Sequence, residues 1–198
     1  MNRSTLSTLA MLTLAGFGAL ATFPAMAADD RSAAPGAAPN AAMRLANAFA
    51  AAADAEASGD KAQLAKAVRV IDALGSHPLD ASSTDPMPIW RERTKGANQA
   101  IYRGRPLGPG YRSGTLTAGG HDSFNQLFLS GTGASIALSA PTGDKLALRV
   151  LDPQSKPICE DGSGRGGMCK WVPLFTQRYT IEVKNLGKGD ARYFLVVQ

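Results

Sequence analysis

The sequence predicts a mainly β protein: an antiparallel β-sandwich over residues 111–198, preceded by a small α-helical hairpin. Three observations lead there. Past Tyr111, short apolar runs alternate with Gly- and Pro-bearing turn signals at the spacing of a sandwich or barrel. Several of these runs are apolar at every second position, as strands with one buried and one wet face are. No stretch in this half keeps helical spacing long enough to cross over between parallel strands, which leaves antiparallel pairing.

The chain opens with Met1-Asn2-Arg3, an apolar run from Leu6 to Phe23, and Pro24-Ala25-Met26-Ala27 ahead of Ala28-Asp29-Asp30. A basic start, a short apolar core and an Ala-x-Ala exit describe a secretory signal peptide over residues 1–27, with cleavage expected near Ala27. Thr13, Gly16, Gly18 and Thr22 interrupt the run and no basic stop-transfer cluster follows, which favours cleavage over a membrane anchor. No later segment is apolar enough to span a bilayer, so a periplasmic or secreted chain is expected. Residues 28–39, rich in Ala and Pro and without period, read as a flexible tether.

Residues 40–95 form the helical part. Asn40 is a candidate N-cap, and Leu45, Ala48, Phe49 and Ala52 recur at helical spacing up to the stop at Gly59. Asp60 restarts a helix with Gln63 three positions on, and Leu64, Ala67, Val68, Ile71 and Leu74 make one stripe that Gly75 and Pro78 end. The two stripes bury each other only in an antiparallel hairpin turning at Ser58-Gly59-Asp60, similar to one unit of a tetratricopeptide repeat. Its apolar face is thin and Ala-rich, so it is expected to lean on the sandwich or on a partner. His77 to Asp85 reads as a loop. Asp85-Pro86 opens a short helix to about Lys95 that carries Ile89 and Trp90, and residues 96–110 read as a linker.

The expected strands run Ser113 to Ala118, Ser123 to Leu129, Ser135 to Ser139, Leu146 to Leu151, Pro157 to Glu160, Cys169 to Val172, Tyr179 to Asn185 and Arg192 to Val197. The alternation is cleanest where Leu146, Leu148 and Val150 oppose Ala147 and Arg149, and where Tyr179, Ile181 and Val183 oppose Thr180, Glu182 and Lys184.

These residues also resemble a known family. Gly114-Thr115-Leu116 leading to Phe124, then Leu127-Phe128-Leu129-Ser130-Gly131, Ala134-Ser135-Ile136-Ala137-Leu138 and Leu146-Ala147-Leu148-Arg149-Val150-Leu151-Asp152 with Lys156-Pro157-Ile158-Cys159 resemble the bacterial pre-peptidase C-terminal domain. Tyr179-Thr180-Ile181-Glu182-Val183-Lys184-Asn185 and Tyr193-Phe194-Leu195-Val196-Val197 complete the match over residues 111–198. The resemblance implies a jelly-roll-like sandwich that assists export or binds surfaces without doing chemistry. No protease domain precedes it here, a departure from the family's setting.

Cys159 and Cys169 are the only cysteines, nine residues apart in between and glycine-rich there, and an exported chain is expected to join them in a structural disulfide. A metal site would need further ligands, and His77 and His121 stand alone in sequence. Asp161-Gly162-Ser163-Gly164-Arg165-Gly166-Gly167 has neither the following helix of a phosphate cradle nor the carboxylate rhythm of a calcium loop, so it reads as a flexible hairpin tip. His121-Asp122-Ser123 holds the residue types of a hydrolytic triad. Neighbours on a strand point to opposite faces, however, and the segment reads as a polar turn.

The formal net charge is +5, and the excess is C-terminal: residues 102–198 carry twelve Lys/Arg against seven Asp/Glu. Tyr102-Arg103-Gly104-Arg105 and Tyr111-Arg112 interleave aromatic and basic residues, but the patch is too short and the compartment wrong for nucleic acid. Arg103, Arg105, Arg112 and Arg165 form the candidate partner surface. The expected function is that of an exported, non-catalytic binding or scaffold protein of the cell envelope, with no cofactor or metal, whose partner is an envelope protein, a glycan or a surface polymer. The alternatives are a small secreted hydrolase whose carboxylates converge only in the fold, and an accessory partner or inhibitor of a separate peptidase.

Overall fold

The computed structural model describes residues 41–80, 84–95, 108–164 and 166–198. The signal-peptide and tether assignments, Asn40 and most of the linker lie outside these residues.

Two helices open the described chain. α1 spans Ala41–Ser58 and α2 spans Lys61–Ala73, joined at Gly59, which adopts φ 73° where a side chain would be strained. Asp60 caps α2 by accepting from the Ala62 and Gln63 backbone N–H groups, as its position after the turn predicts. A third helix, α3 (Met87–Arg93), is set by Asp85, whose carboxylate accepts from Met87 N–H at 2.9 Å and from the Tyr111 hydroxyl at 2.7 Å.

Among the described residues the β part has nine strands: β1 (His77–Pro78), β2 (Gly110–Leu116), β3 (His121–Phe128), β4 (Ala134–Ser139), β5 (Leu146–Leu151), β6 (Pro157–Gly164), β7 (Gly166–Trp171), β8 (Gln177–Asn185) and β9 (Ala191–Val197). They form two sheets, ordered β1-β2-β9-β4-β7 and β3-β8-β5-β6. From β2 onward the chain changes sheet at every connection except β5–β6, so the layers are built together. Leu116, Ile136, Leu138, Leu146, Leu148, Val150, Ile181, Val183, Tyr193 and Leu195 fill the space between them. The result is a β-sandwich with an N-terminal helical hairpin, as the alternation predicts.

Three segments differ from expectation. His77 and Pro78 are not loop: β1 adds to the edge of β2 in the one parallel pairing among the described strands, held by Leu79 N–H donating to the Tyr111 carbonyl at 2.8 Å. His121-Asp122-Ser123 is not a turn but the start of β3, because it pairs with Lys184, Val183 and Glu182 of β8. The glycine-rich segment is drawn into β6 and β7, where glycine lets the chain bend from one sheet to the other.

The helices make a third layer on the outer face of the five-stranded sheet. Phe49 of α1 lies 4.6 Å from the ring of Tyr111, 5.6 Å from Phe194 and 6.2 Å from Trp90. Leu64 and Ile71 are buried in the same cluster, so the stripe is covered by the chain's own residues. Ion pairs rim this layer: Glu56 with Arg93 and Arg192, and Asp72 with Arg91. Burial opposes ionisation of Glu56. The facing Trp90 indole, which makes no close hydrogen bond, and the Arg192 and Arg93 guanidiniums outweigh it and hold the carboxyl below its usual range.

Candidate functional site

Each side margin of the sandwich is fastened. At one, Cys159 of β6 and Cys169 of β7 form a disulfide that joins the edge strands of opposite sheets. At the other, Arg112 of β2 crosses to β3. Its guanidinium donates to the Asp122 carboxylate at 3.0 Å, pairs with Asp80, and stacks 5.0 Å from the Phe124 ring centre. The Tyr193 hydroxyl of β9 donates to the same Asp122 carboxylate. Arg112 was offered by the sequence as a partner surface; its side chain is only 14% exposed and is engaged inside the chain. Arg103, Arg105 and Arg165 lie outside the described residues.

The electrostatics of this margin follow from the geometry. Burial works against the charge on Asp122, but the Tyr193 hydroxyl and the Arg112 guanidinium outweigh it and hold the carboxyl below its usual value. Burial, and then the Asp122 carboxylate beside it, push the Tyr193 hydroxyl well above the usual phenol range. His121 and Ser123 are exposed on the opposite side of β3 from Asp122, so the three never converge as nucleophile, base and orienter.

Two concave regions carry carboxylates. A cleft of about 600 Å³ runs between α1 and the β4–β7 edge, lined by Asn47, Asp54, Ser139, Asp161 and Met168 among others. Asp54 accepts from both the N–H and the hydroxyl of Thr142 at 2.9 Å, and Asp161 accepts from Met168 N–H at 3.0 Å. A groove of about 500 Å³ on the outer face of the four-stranded sheet brings His121, Arg149, Glu160, Glu182 and Lys184 together. Their register explains it: Arg149 sits opposite Glu182 and Glu160 on its two neighbouring strands and pairs with both. Among the described residues no group of three or more His, Cys, Asp or Glu is placed to hold a metal ion.

A feature without a periodic signature in the sequence lies at the end of the sandwich where β3 and β7 finish. Leu127, Leu129, Val172, Leu174 and Phe175 are exposed there, Leu174 to 80% and Phe175 to 68%. They are held rather than loose. The turn after β3 and the segment between β7 and β8 are latched by Gly131 N–H donating to the Pro173 carbonyl at 2.9 Å, Ser130 N–H to the Thr176 hydroxyl at 3.0 Å, and the Ser130 hydroxyl to the Leu174 carbonyl at 2.7 Å. Beneath them Phe128, Trp171 and Tyr179 pack on one another with ring centres 4.8 to 5.8 Å apart. The signal was present in the sequence as Val172-Pro173-Leu174-Phe175, an apolar run where a turn is expected to be polar.

Among the described residues no helix is long and apolar enough to cross a membrane. No family model matches the chain, and no curated protein is similar to it in sequence. Among solved structures it is similar to the Yersinia pseudotuberculosis-derived mitogen, at 14% identity over 46% of this chain and 84% of that one, with a TM-score of 0.40. It is similar to the pre-peptidase C-terminal domain of collagenase from Bacillus anthracis at 18% identity, covering 46% and 89%, with a TM-score of 0.37. It is also similar to PliG of Aeromonas hydrophila, a periplasmic lysozyme inhibitor of g-type lysozyme, at 15% identity, covering 46% and 84%, with a TM-score of 0.36. At this distance no activity or partner passes from them to this chain.

Proposed function

We propose that the protein is an exported, non-catalytic binding module of the bacterial cell envelope, and that it engages its partner through the latched loop end of the sandwich. The observation that carries this reading is the exposure of Leu129, Val172, Leu174 and Phe175 on two loops fixed to each other. Fully burying a Leu or Phe side chain is worth about 1.5–3 kcal/mol. A fold that leaves two of them in water at one loop tip forgoes that gain until something covers them. The latch lowers the ordering cost that binding would otherwise meet. The disulfide supports export, since such bonds persist in oxidising compartments.

The test is retention of the purified chain on washed envelope fractions. The Leu174→Ser/Phe175→Ser variant is expected to melt at the wild-type temperature and to lose retention. Equal retention of both proteins would remove the loop end from the reading.

The cleft beside α1 favours a second reading, a small secreted hydrolase using Asp54 and Asp161. That reading needs a carboxylate able to engage a reacting water. Asp54 already holds Thr142, and Asp161 holds the β7 backbone. Hydrolysis of ester or glycoside substrates that disappears in both Asp54→Asn and Asp161→Asn would establish it in place of the first.

A further inference from the structure

Resting on the reading that the loop end is the binding surface, we propose that its partner is a bilayer surface rich in anionic phospholipid, with Leu174 and Phe175 entering the interface and cationic side chains around them meeting the headgroup phosphates. The first argument is charge. From Leu127 to Ser139 the chain has no charged side chain, and from Gly166 to Ile181 its charged side chains are Lys170 and Arg178. Both are cations, and Arg178 lies directly across from Leu127 in the β3–β8 register. Asp152, in the β5–β6 turn at this end, accepts from the backbone N–H groups of Gln154 and Lys156.

The second argument is shape and size. A stable protein interface buries roughly 20–30 residues a side and asks for a complementary partner surface. Here five apolar side chains stand at the outer end of a sandwich, with the most exposed pair adjacent in sequence. A bilayer needs no matching pocket and accepts a small convex apolar tip, while the basic residues beside it gain from the negative surface potential. A second copy of this chain would bring like charges together and is disfavoured by the same residues.

The experiment is co-sedimentation of the mature chain with vesicles of phosphatidylglycerol and phosphatidylcholine in equal parts, against vesicles of phosphatidylcholine alone. Partitioning is expected on the anionic vesicles and to weaken as salt is raised. Leu174→Ser and Phe175→Ser are each expected to lower it about tenfold, and Arg178→Glu about fivefold or more. The exposed positions leave the fold intact, which an unchanged melting temperature checks.

Equal binding to both vesicle types, or binding untouched by all three substitutions, overturns the proposal. An absence of vesicle binding also overturns it. If the Leu174→Ser/Phe175→Ser variant then still loses retention on envelope fractions, and protease treatment of the fraction abolishes the wild-type retention, the partner is a protein and the binding reading stands without the lipid. If retention is unchanged as well, both fail.

Discussion

Arg112 shows how one side chain can serve as a seam. It leaves β2, crosses the margin of the sandwich and meets Asp122, Asp80, Tyr193 and the face of Phe124. Removing it takes the guanidinium away from two carboxylates, Asp122 and Asp80. Breaking a fully buried pair costs about 3–5 kcal/mol, and because this cluster keeps some solvent access Arg112→Ala is expected to cost about 2–3 kcal/mol, read as a lower denaturant midpoint at unchanged slope. Its pH signature follows from Asp122. The folded carboxyl titrates below its unfolded value, so its stabilisation is complete above that value, about 3.9, and is lost as pH falls through the lower folded one. Unfolding free energy should fall below about pH 4, and Asp122→Asn should flatten that limb; an equally steep limb in the variant would show that other carboxyls carry it. Tyr193 adds the opposite limb, since a phenol raised in the folded state withdraws its contribution as pH rises beyond about 10. None of this was legible locally: Tyr111-Arg112 reads as a basic-aromatic pair, and nothing in its neighbours says that Arg112 faces inward across a sheet edge.

Among the elements, the helical hairpin depends on the sheet beneath it. Phe49 is the residue of α1 that reaches Tyr111, Trp90 and Phe194 at once. Phe49→Ala is therefore expected to cost about 3–5 kcal/mol by opening a cavity between layers. Native-state hydrogen exchange should show α1 and α2 losing protection before β5 and β8 do; uniform loss would mean that the helices and sandwich unfold as one unit. The helices and most strands could be read from sequence because their periods are local properties. Leu146, Leu148 and Val150 alternate, and Leu64, Val68 and Ile71 return every three to four residues. β1 could not, because two residues, His77 and Pro78, have no period, and their pairing with β2 is decided by backbone groups far along the chain. The apolar loop was missed for a related reason. By its period Val172 ends a strand, and Leu174 and Phe175 fall between two elements, where only the fold shows that they stand exposed.

For the whole molecule, the disulfide joins positions ten apart in sequence but links two different sheets. The chain-entropy estimate for so short a loop is about 3 kcal/mol. Cys159→Ser/Cys169→Ser should lower the unfolding free energy by that order, with the loss reproduced when the wild-type protein is reduced. A variant that melts as the wild type does would show that the β6–β7 connection holds the two edges without the bond.

The tie between β6 and β7 bears on how the molecule keeps to itself. A strand at the border of a sheet offers unpaired amide and carbonyl groups to any passing chain, and growth by addition of foreign strands begins there. Here the last strands of opposite layers are covalently yoked, so neither can swing out to receive a newcomer. Cutting the yoke with a reductant should therefore turn a self-limited particle into one prone to linear polymerisation, visible as light scattering that appears well below the melting temperature.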